Sequence, residues 1–151
     1  LVGGGIGCAP LLYAARVFGG QAEVISILGF RTATHVYGLE EFSAVSRVFC
    51  CTDDGSAGIC AFGSDVLKEQ IEENPPDVIL ACGPGPMLRV VAAIAKSAKI
   101  PCQVSMEERM ACGVGACRGC ACKVRVDGKT EMQRVCMEGP VFPSEEVVWD
   151  E

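Results

Sequence analysis

Short apolar runs alternate with amphipathic stretches over roughly the first hundred residues of the chain. Helical periodicity predicts helices over 10–18, 64–73 and 87–98, and strand-like apolar runs occupy 22–28, 47–52, 77–82 and 102–106. A weaker helical pattern covers 36–46. Strands that alternate with helices are typical of βαβ units, in which helices cover both faces of a parallel sheet. The pattern therefore predicts an α/β domain over 1–105.

The chain opens on Leu1 and Val2, directly ahead of a glycine loop and without an initiator Met. A strand usually runs about 5–6 residues. These two residues are therefore interpreted as the end of a strand whose start precedes residue 1. We expect an upstream domain to be missing from the sequence.

The helical period disappears near Met106. Past the cysteines that follow, 122–126 alternates like a strand, and Asp127-Gly128 is a hairpin turn signal. The stretch 139–151 contains two prolines and an acidic end, and it is interpreted as an ordered tail. We predict a second, small β-rich domain over 106–151.

Composition and charge exclude several classes of protein. The chain is 50% hydrophobic with 21% charged residues, enough to bury a core without disulfides. A net charge of −6 argues against a nucleic-acid surface, which needs clustered Lys and Arg. No run of 18 apolar residues is present, so no membrane helix is expected. The eleven cysteines are best explained as reduced thiols or metal ligands of a cytoplasmic protein.

Four cysteines carry the clearest chemical signal. Cys112, Cys117, Cys120 and Cys136 are spaced C-x4-C-x2-C-x15-C, and the first three reproduce the spacing of plant-type 2Fe-2S proteins. A zinc site built on Cys117 and Cys120 with two other thiols, Cys122 among them, is one alternative, and disulfides are another. We expect Cys122 to pack in the core. Cys50-Cys51 and Cys60 are also expected to be core thiols.

Three glycine-bearing loops follow predicted strands in the first domain. They are 3–7, 52–58 and 82–87. Ligands of open parallel sheets bind outside the carboxyl ends of the strands, and helix N-termini there favour phosphate. Because the glycines of 3–7 do not fit the G-x-G-x-x-G fingerprint, the prediction of a nucleotide site rests on all three loops together.

The sequences of these loops resemble those of a known superfamily. GGGIG followed by AP, then DDGSAG, then CGPGPML are similar to the NAD(P)-binding half of ferredoxin–NADP reductases. The stretch from Met106 to Cys120, with Cys136 and Gly139-Pro140-Val141-Phe142, resembles the electron transfer subunits of NAD-dependent (class 1B) dihydroorotate dehydrogenases. The resemblance covers essentially the whole chain.

The resemblance implies a fold, cofactors and a partner. It implies an NAD-binding domain of ferredoxin reductase type, then a 2Fe-2S domain, with FAD bound mainly by the missing N-terminal barrel. Electrons from dihydroorotate would reach an FMN in a catalytic partner subunit, within a heterotetramer, and pass through the 2Fe-2S cluster and FAD to NAD. The flavin is needed because nicotinamide exchanges electron pairs and the cluster single electrons. Such a subunit belongs to an oxidoreductase complex of pyrimidine biosynthesis, does not oxidise dihydroorotate alone and contains no catalytic acid or base.

The resemblance also assigns site residues. The NAD contacts would come from Gly5, Ile6, Gly7, Asp54, Gly55, Ser56, Gly58, Cys82, Gly83 and Pro84, and the cluster ligands would be Cys112, Cys117, Cys120 and Cys136. The stretch 61–65 departs from the family pattern, although Ser64 and Asp65 preserve the residue types of a helix N-cap.

Two other functions stay open. One is a subunit of another flavin reductase, of the sulfide dehydrogenase or ferredoxin:NADP oxidoreductase type; those relatives tend to have a first ligand other than cysteine, so Cys112 counts against them. The other is a zinc-stabilised nucleotide-binding regulator. The single histidine, His35, is expected to be a surface or capping residue, which excludes His-dependent hydrolases. Arg31 is placed near the adenosine ribose, where Arg favours NADP.

Overall fold

The computed structural model describes residues 1–149. Its helices are α1 (Cys8–Phe18), α2 (Leu39–Ser43), α3 (Gly63–Glu73) and α4 (Gly85–Ala98). Its strands are β1 (Val2–Gly4), β2 (Ile25–Phe30), β3 (Arg47–Thr52), β4 (Ile79–Cys82), β5 (Cys102–Ser105), β6 (Ala121–Val126), β7 (Lys129–Arg134) and β8 (Val141–Pro143). Short 3-10 turns cover Gly5–Gly7 and Ala33–His35.

Six strands form one sheet in the order β3-β2-β1-β4-β5-β8. The first five run parallel, and β8 pairs antiparallel with β5 at the edge. Strands β2 and β3 therefore lie on one side of the central pair β1 and β4, and strands β5 and β8 lie on the other. This is the point where the strand order reverses, and ligands of such sheets bind there.

Helices cover both faces of the sheet, as predicted. On one face α3 and α4 pack on Ile27, and on the other α1 and α2 pack on Leu28. The two residues are adjacent in β2 and both are buried, because successive side chains of a strand point to opposite faces. Burial on both faces explains why the strands read as continuous apolar runs.

The hairpin of β6 and β7 forms a separate two-stranded sheet. Asp127 and Gly128 have φ of 49° and 78°, as a tight two-residue hairpin turn requires. Val124 of β6 is fully buried and packs in the same core as Phe142 of β8. The cysteine-rich segment is therefore packed against the sheet, and its division from the rest at 105/106 stays a prediction.

Three details differ from the sequence-based expectation. Strand β2 lies at Ile25–Phe30 and not over 22–28, because pairing with β3 continues to Phe30 opposite Thr52. The expected side-chain N-cap of α3 is wrong: the N-cap is Phe62, and Asp65 instead pairs with Lys68 at 3.0 Å. The tail contains a strand, β8, although the last two residues of the predicted tail lie outside the described residues.

Within residues 1–149, none of the helices has the length and apolar character needed to cross a bilayer.

Candidate nucleotide and cluster sites

The loops after β1 and β4 meet at the centre of the sheet edge. A Cβ placed on Gly7 would lie 2.4 Å from the carbonyl oxygen of Cys82 and 2.7 Å from the Cα of Gly83. Such distances are far inside van der Waals contact, so only glycine fits at position 7. The close approach brings the predicted residues Gly5, Ile6 and Gly7 beside Cys82 and Gly83 at the switch point of the sheet.

The loop after β3 is ordered by its own side chains. The Ser56 hydroxyl donates to Asp54 Oδ1 at 2.5 Å and accepts a hydrogen bond from the Ala33 N–H at 2.7 Å. The hydrogen bonds from Ser56 lower the pKa of the Asp54 carboxyl. Gly58, at φ of 64°, lies against the Cys50 carbonyl oxygen, 2.2 Å from where a Cβ would sit. The loop is thereby fixed to the segment that follows β2.

Tyr37 contacts the glycine loop after β1, a role that sequence analysis did not assign to it. Its hydroxyl donates to the carbonyl oxygens of Gly5 and Ile6, at 3.0 and 3.1 Å. Its ring packs edge-on against Phe30, with centroids 5.6 Å apart. The residue lies in the stretch of weak helical pattern before α2, where an aromatic ahead of Gly38 is the one available hint.

We predict that Tyr37→Phe weakens NADH binding while keeping the fold. The variant retains the ring against Phe30 and loses the hydroxyl that fixes the glycine loop. A net loss of about 1 kcal/mol for the hydrogen bonds corresponds to a rise in Kd of roughly fivefold. Calorimetric titration with NADH measures it, and Tyr13→Phe, at a side chain that is 75% exposed on α1, is the matched control. An unchanged Kd for Tyr37→Phe would show that the loop holds its shape without the phenol.

Cys82 is half-buried at the end of β4. Burial raises the pKa of its thiol, a hydrogen bond with Ser105 opposes the shift, and the Glu107 carboxylate adds to it. The thiol is therefore neutral at physiological pH. Pro84, by contrast, is exposed and serves as the N-cap of α4.

A cavity of about 760 Å³ lies at the amino ends of the parallel strands. It is lined by residues at the start of β2 and by Pro75, Pro76 and Asp77 ahead of β4. None of the predicted site residues is in its wall. Because ligands of parallel sheets bind at the carboxyl ends of the strands, this cavity is separate from the predicted nucleotide site.

The cysteine loop is shaped by left-handed backbone. Gly113, Gly115 and Arg118 have φ of 67°, 79° and 58°. The Cys117 N–H points at Cys112 Sγ, 3.4 Å away, and the Gly119 N–H points at Cys117 Sγ, 3.3 Å away. The loop therefore directs backbone donors at sulfur, as expected where thiolate charge has to be stabilised.

The four predicted ligand thiols interact in two pairs that adjoin each other. The Cys117 side chain helps to lower the pKa of Cys112, and the Cys120 side chain first and Cys112 after it raise the pKa of Cys136. Backbone N–H groups, that of Cys117 first, lower the pKa of Cys112 to about 6. No set of three or more His, Cys, Asp or Glu side chains within residues 1–149 has the arrangement of a metal-ion site. The structure thus brings the four sulfurs into one neighbourhood as two pairs.

Of the other cysteines, those with a predicted packing role differ in burial. Cys122 is buried in β6, where burial raises its pKa, in accord with the expected packing role. Cys51 is buried and Cys50 half-buried, but the expectation for Cys60 is wrong, since it is exposed beside Gly55. His35 is exposed with its Nδ1 2.9 Å from Thr32 Oγ1, and Arg31 is exposed nearby.

Comparison with known proteins finds similar electron transfer subunits. Residues 107–148 match the model of the iron-sulfur cluster binding domain of dihydroorotate dehydrogenase B. The chain is 45% identical, over 99% of its length, to a dihydroorotate dehydrogenase B (NAD(+)) electron transfer subunit of Caldanaerobacter subterraneus, and it covers 58% of that protein. The protein of the same name from Bacillus caldolyticus is 44% identical, with 98% of this chain and 56% of the relative covered.

A solved structure supports the fold. It is that of an NADH-dependent reduced ferredoxin-NADP oxidoreductase, described in connection with flavin-based electron bifurcation. It superposes with a TM-score of 0.84 at 30% identity, over 98% of this chain and 52% of the other. The chain thus spans little more than half the length of the proteins it matches. On sequence and fold together, the chain is similar over nearly its whole length to slightly more than half of a dihydroorotate dehydrogenase B electron transfer subunit.

Proposed function

We propose that the chain carries electrons between an FMN-containing, dihydroorotate-oxidising subunit and NAD, in pyrimidine biosynthesis. The observation that supports this most strongly is that Cys112, Cys117, Cys120 and Cys136 all lie inside the segment that matches a cluster-binding domain. A 2Fe-2S cluster supplies one-electron transfer when bound. The chain acts as part of an oxidoreductase complex and does not oxidise dihydroorotate alone.

The donor set fits such a cluster. All four groups are thiols, the soft ligands that iron–sulfur clusters use. Backbone N–H groups are directed at two of the sulfurs, and the Cys112 thiol has a pKa low enough to provide thiolate at neutral pH. Cys120 is 2% exposed while Cys117 lies at the surface, so the ligand set runs from the core to solvent. These features favour a cluster close to the surface, where a partner can approach.

For the nucleotide, we assign the ten family-implied residues to NAD. The glycine loop with Gly5, Ile6 and Gly7 would face the pyrophosphate, because α1 begins directly after it and its N-terminal N–H groups favour phosphate. The loop with Asp54, Gly55, Ser56 and Gly58 closes one side of the cleft. The nicotinamide ring would lie beside Cys82, Gly83 and Pro84. The Cys82 thiol is neutral, so it introduces no charge there. FAD is bound mainly outside these 151 residues.

The assembly we propose is a cytoplasmic heterotetramer with the FMN-containing catalytic subunit. A second candidate, a ferredoxin-NADP oxidoreductase subunit, is favoured by the structural similarity at 30% identity. The higher identity of 45% to dihydroorotate dehydrogenase subunits, together with cysteine as the first ligand, supports the first assignment.

The test is reduction by dihydroorotate in the assembled complex. The chain is co-expressed with the FMN-containing catalytic subunit, the complex is purified without oxygen, and visible absorbance is followed after dihydroorotate is added. We expect a stable complex. Its visible absorbance should fall by more than reduction of the FMN alone would cause, because the iron–sulfur cluster is reduced as well. Dithionite is the control for full reduction. A chain that loads a cluster but neither associates with that subunit nor responds to dihydroorotate would contradict the assignment and favour the ferredoxin-linked one.

A further inference from the structure

Arg134, the last residue of β7, joins two separate parts of the cysteine site. Its Nη1 donates to the carbonyl oxygen of Gly115 at 2.8 Å, and that carbonyl lies in the loop between Cys112 and Cys117. Its Nε donates to both carboxylate oxygens of Glu138, at 3.1 and 3.0 Å, and its Nη2 also contacts Glu138. One guanidinium therefore connects the glycine loop with the turn that follows β7.

The same residue closes the turn that carries the fourth cysteine. The carbonyl oxygen of Arg134 accepts hydrogen bonds from the N–H groups of Met137 and Glu138, at 3.0 and 2.9 Å. Its own N–H donates to Glu138 Oε2 at 2.6 Å. Cys136 lies inside this turn. Both the backbone and the side chain of Arg134 thus fix where Cys136 stands.

The contact with the glycine loop is close and its geometry is specific. Gly115 is buried at φ of 79°, and a Cβ there would lie 3.2 Å from Arg134 Nη1 and 3.4 Å from Met137. The loop backbone therefore packs directly on the side chains of Arg134 and Met137, which leave no room for a side chain at position 115. An exposed ion pair alone contributes little to stability, but this one adds a hydrogen bond to a buried backbone segment.

Arg134 also places positive charge beside the thiols. Its guanidinium is hydrogen bonded to the loop between Cys112 and Cys117, and Cys136 lies two residues further along the chain. Positive charge and donors around a cluster favour its more negative, reduced state. The side chains of Arg134 and Glu138 are 33% and 31% exposed, so solvent only partly screens this charge.

We propose that Arg134, held by Glu138, is the positioning residue of the cluster site. It fixes the distance between the loop that carries Cys112 and Cys117 and the turn that carries Cys136, and it raises the reduction potential of the bound cluster. This inference rests on the proposed function, because it requires that the four cysteines hold a cluster.

The test compares the reconstituted full chain with Arg134→Gln, Arg134→Lys and Glu138→Gln. Arg125→Gln is the matched control, since it removes the same charge from the exposed side of β6. Residue 125 pairs with Thr130, four residues up the hairpin from Arg134 and about 13 Å away. Three readouts are taken: the rate of iron loss to a chelator, the midpoint potential and the EPR line shape of the reduced protein.

We expect Arg134→Gln to lose iron roughly tenfold faster, the size of effect usual for residues that orient metal ligands. Its midpoint potential shifts to more negative values and its EPR line shape changes. Arg134→Lys keeps the charge without the planar fork, so it loses iron faster with a smaller shift in potential. Glu138→Gln leaves Arg134 in place but unanchored, and we expect faster iron loss with no negative shift. Arg125→Gln matches the wild type.

Wild-type rates and potentials in Arg134→Gln and Arg134→Lys would overturn the inference and leave the proposed function standing. Should Arg134→Gln fail to fold, Glu138→Gln and Arg134→Lys decide in the same way, since both keep a cation at position 134. A wild-type chain that takes up no cluster would overturn the proposed function and, with it, this inference.

Discussion

Replacement of Cys120 by serine is expected to abolish the iron–sulfur cluster while leaving the chain folded. Cys120 is a thiol in the buried part of the ligand set and is 2% exposed. Serine fills nearly the same space but provides a hard hydroxyl that ionises only far above neutral pH, so one of the four thiolates is lost. We expect the reconstituted variant to be colourless or to bleach within minutes in air, as measured by visible absorbance and bound iron.

The matched control is Cys122→Ala. Cys122 lies two residues further along the chain, is also buried, and sits in the apolar core of β6. It is expected to retain the full iron content at a modest cost in thermal stability. Loss of the cluster in Cys122→Ala with retention in Cys120→Ser would mean that Cys122, and not Cys120, is a ligand, and would contradict the assigned set of four.

The second large effect is expected from Gly7→Ala. The new methyl group would stand 2.4 Å from the Cys82 carbonyl oxygen, so the loops after β1 and β4 must move apart. Forcing a group into a packed backbone contact costs about 3 kcal/mol. Because the nucleotide site is built from these two loops, NADH affinity should fall at least roughly tenfold along with the midpoint of urea unfolding.

Gly20→Ala is the control for this change. Gly20 is exposed, and an added Cβ there meets nothing within 4 Å. Its stability is expected to stay within about 0.5 kcal/mol of the wild type. Calorimetry and urea unfolding of both variants test the prediction. Wild-type stability and NADH affinity in Gly7→Ala would show that the close approach of the two loops is not required.

The parallel sheet was predictable because its information is local. Ile27 and Leu28 are buried on opposite faces of one strand, so the whole run is apolar and stands out against the amphipathic helices. The cysteine spacing was predictable for the same reason: three of the ligands lie within nine residues of one loop. Where one short segment determines the structure, the sequence pattern suffices.

The contacts that the sequence did not reveal join distant segments. Strand β8 has only Phe142 buried, contains a proline and pairs with β5, so its pattern resembles a tail. Tyr37 reaches the carbonyl of Gly5 across 32 positions, and Arg134 reaches Gly115 across 19. In the contacts of Tyr37 and Arg134, a side chain donates to a backbone carbonyl oxygen. Every residue has such a carbonyl, so the residue type of the acceptor carries no signal in the sequence. Such partners become visible only when the chain is folded.

A 2Fe-2S site and a zinc site are distinguished by iron, acid-labile sulfide and zinc analysis of the anaerobically purified chain, with EPR before and after dithionite. We expect iron and sulfide in equal amounts, little zinc, and an EPR signal that is absent in the oxidised protein and appears on one-electron reduction. A colourless chain that contains stoichiometric zinc, no sulfide and no signal after reduction would contradict it.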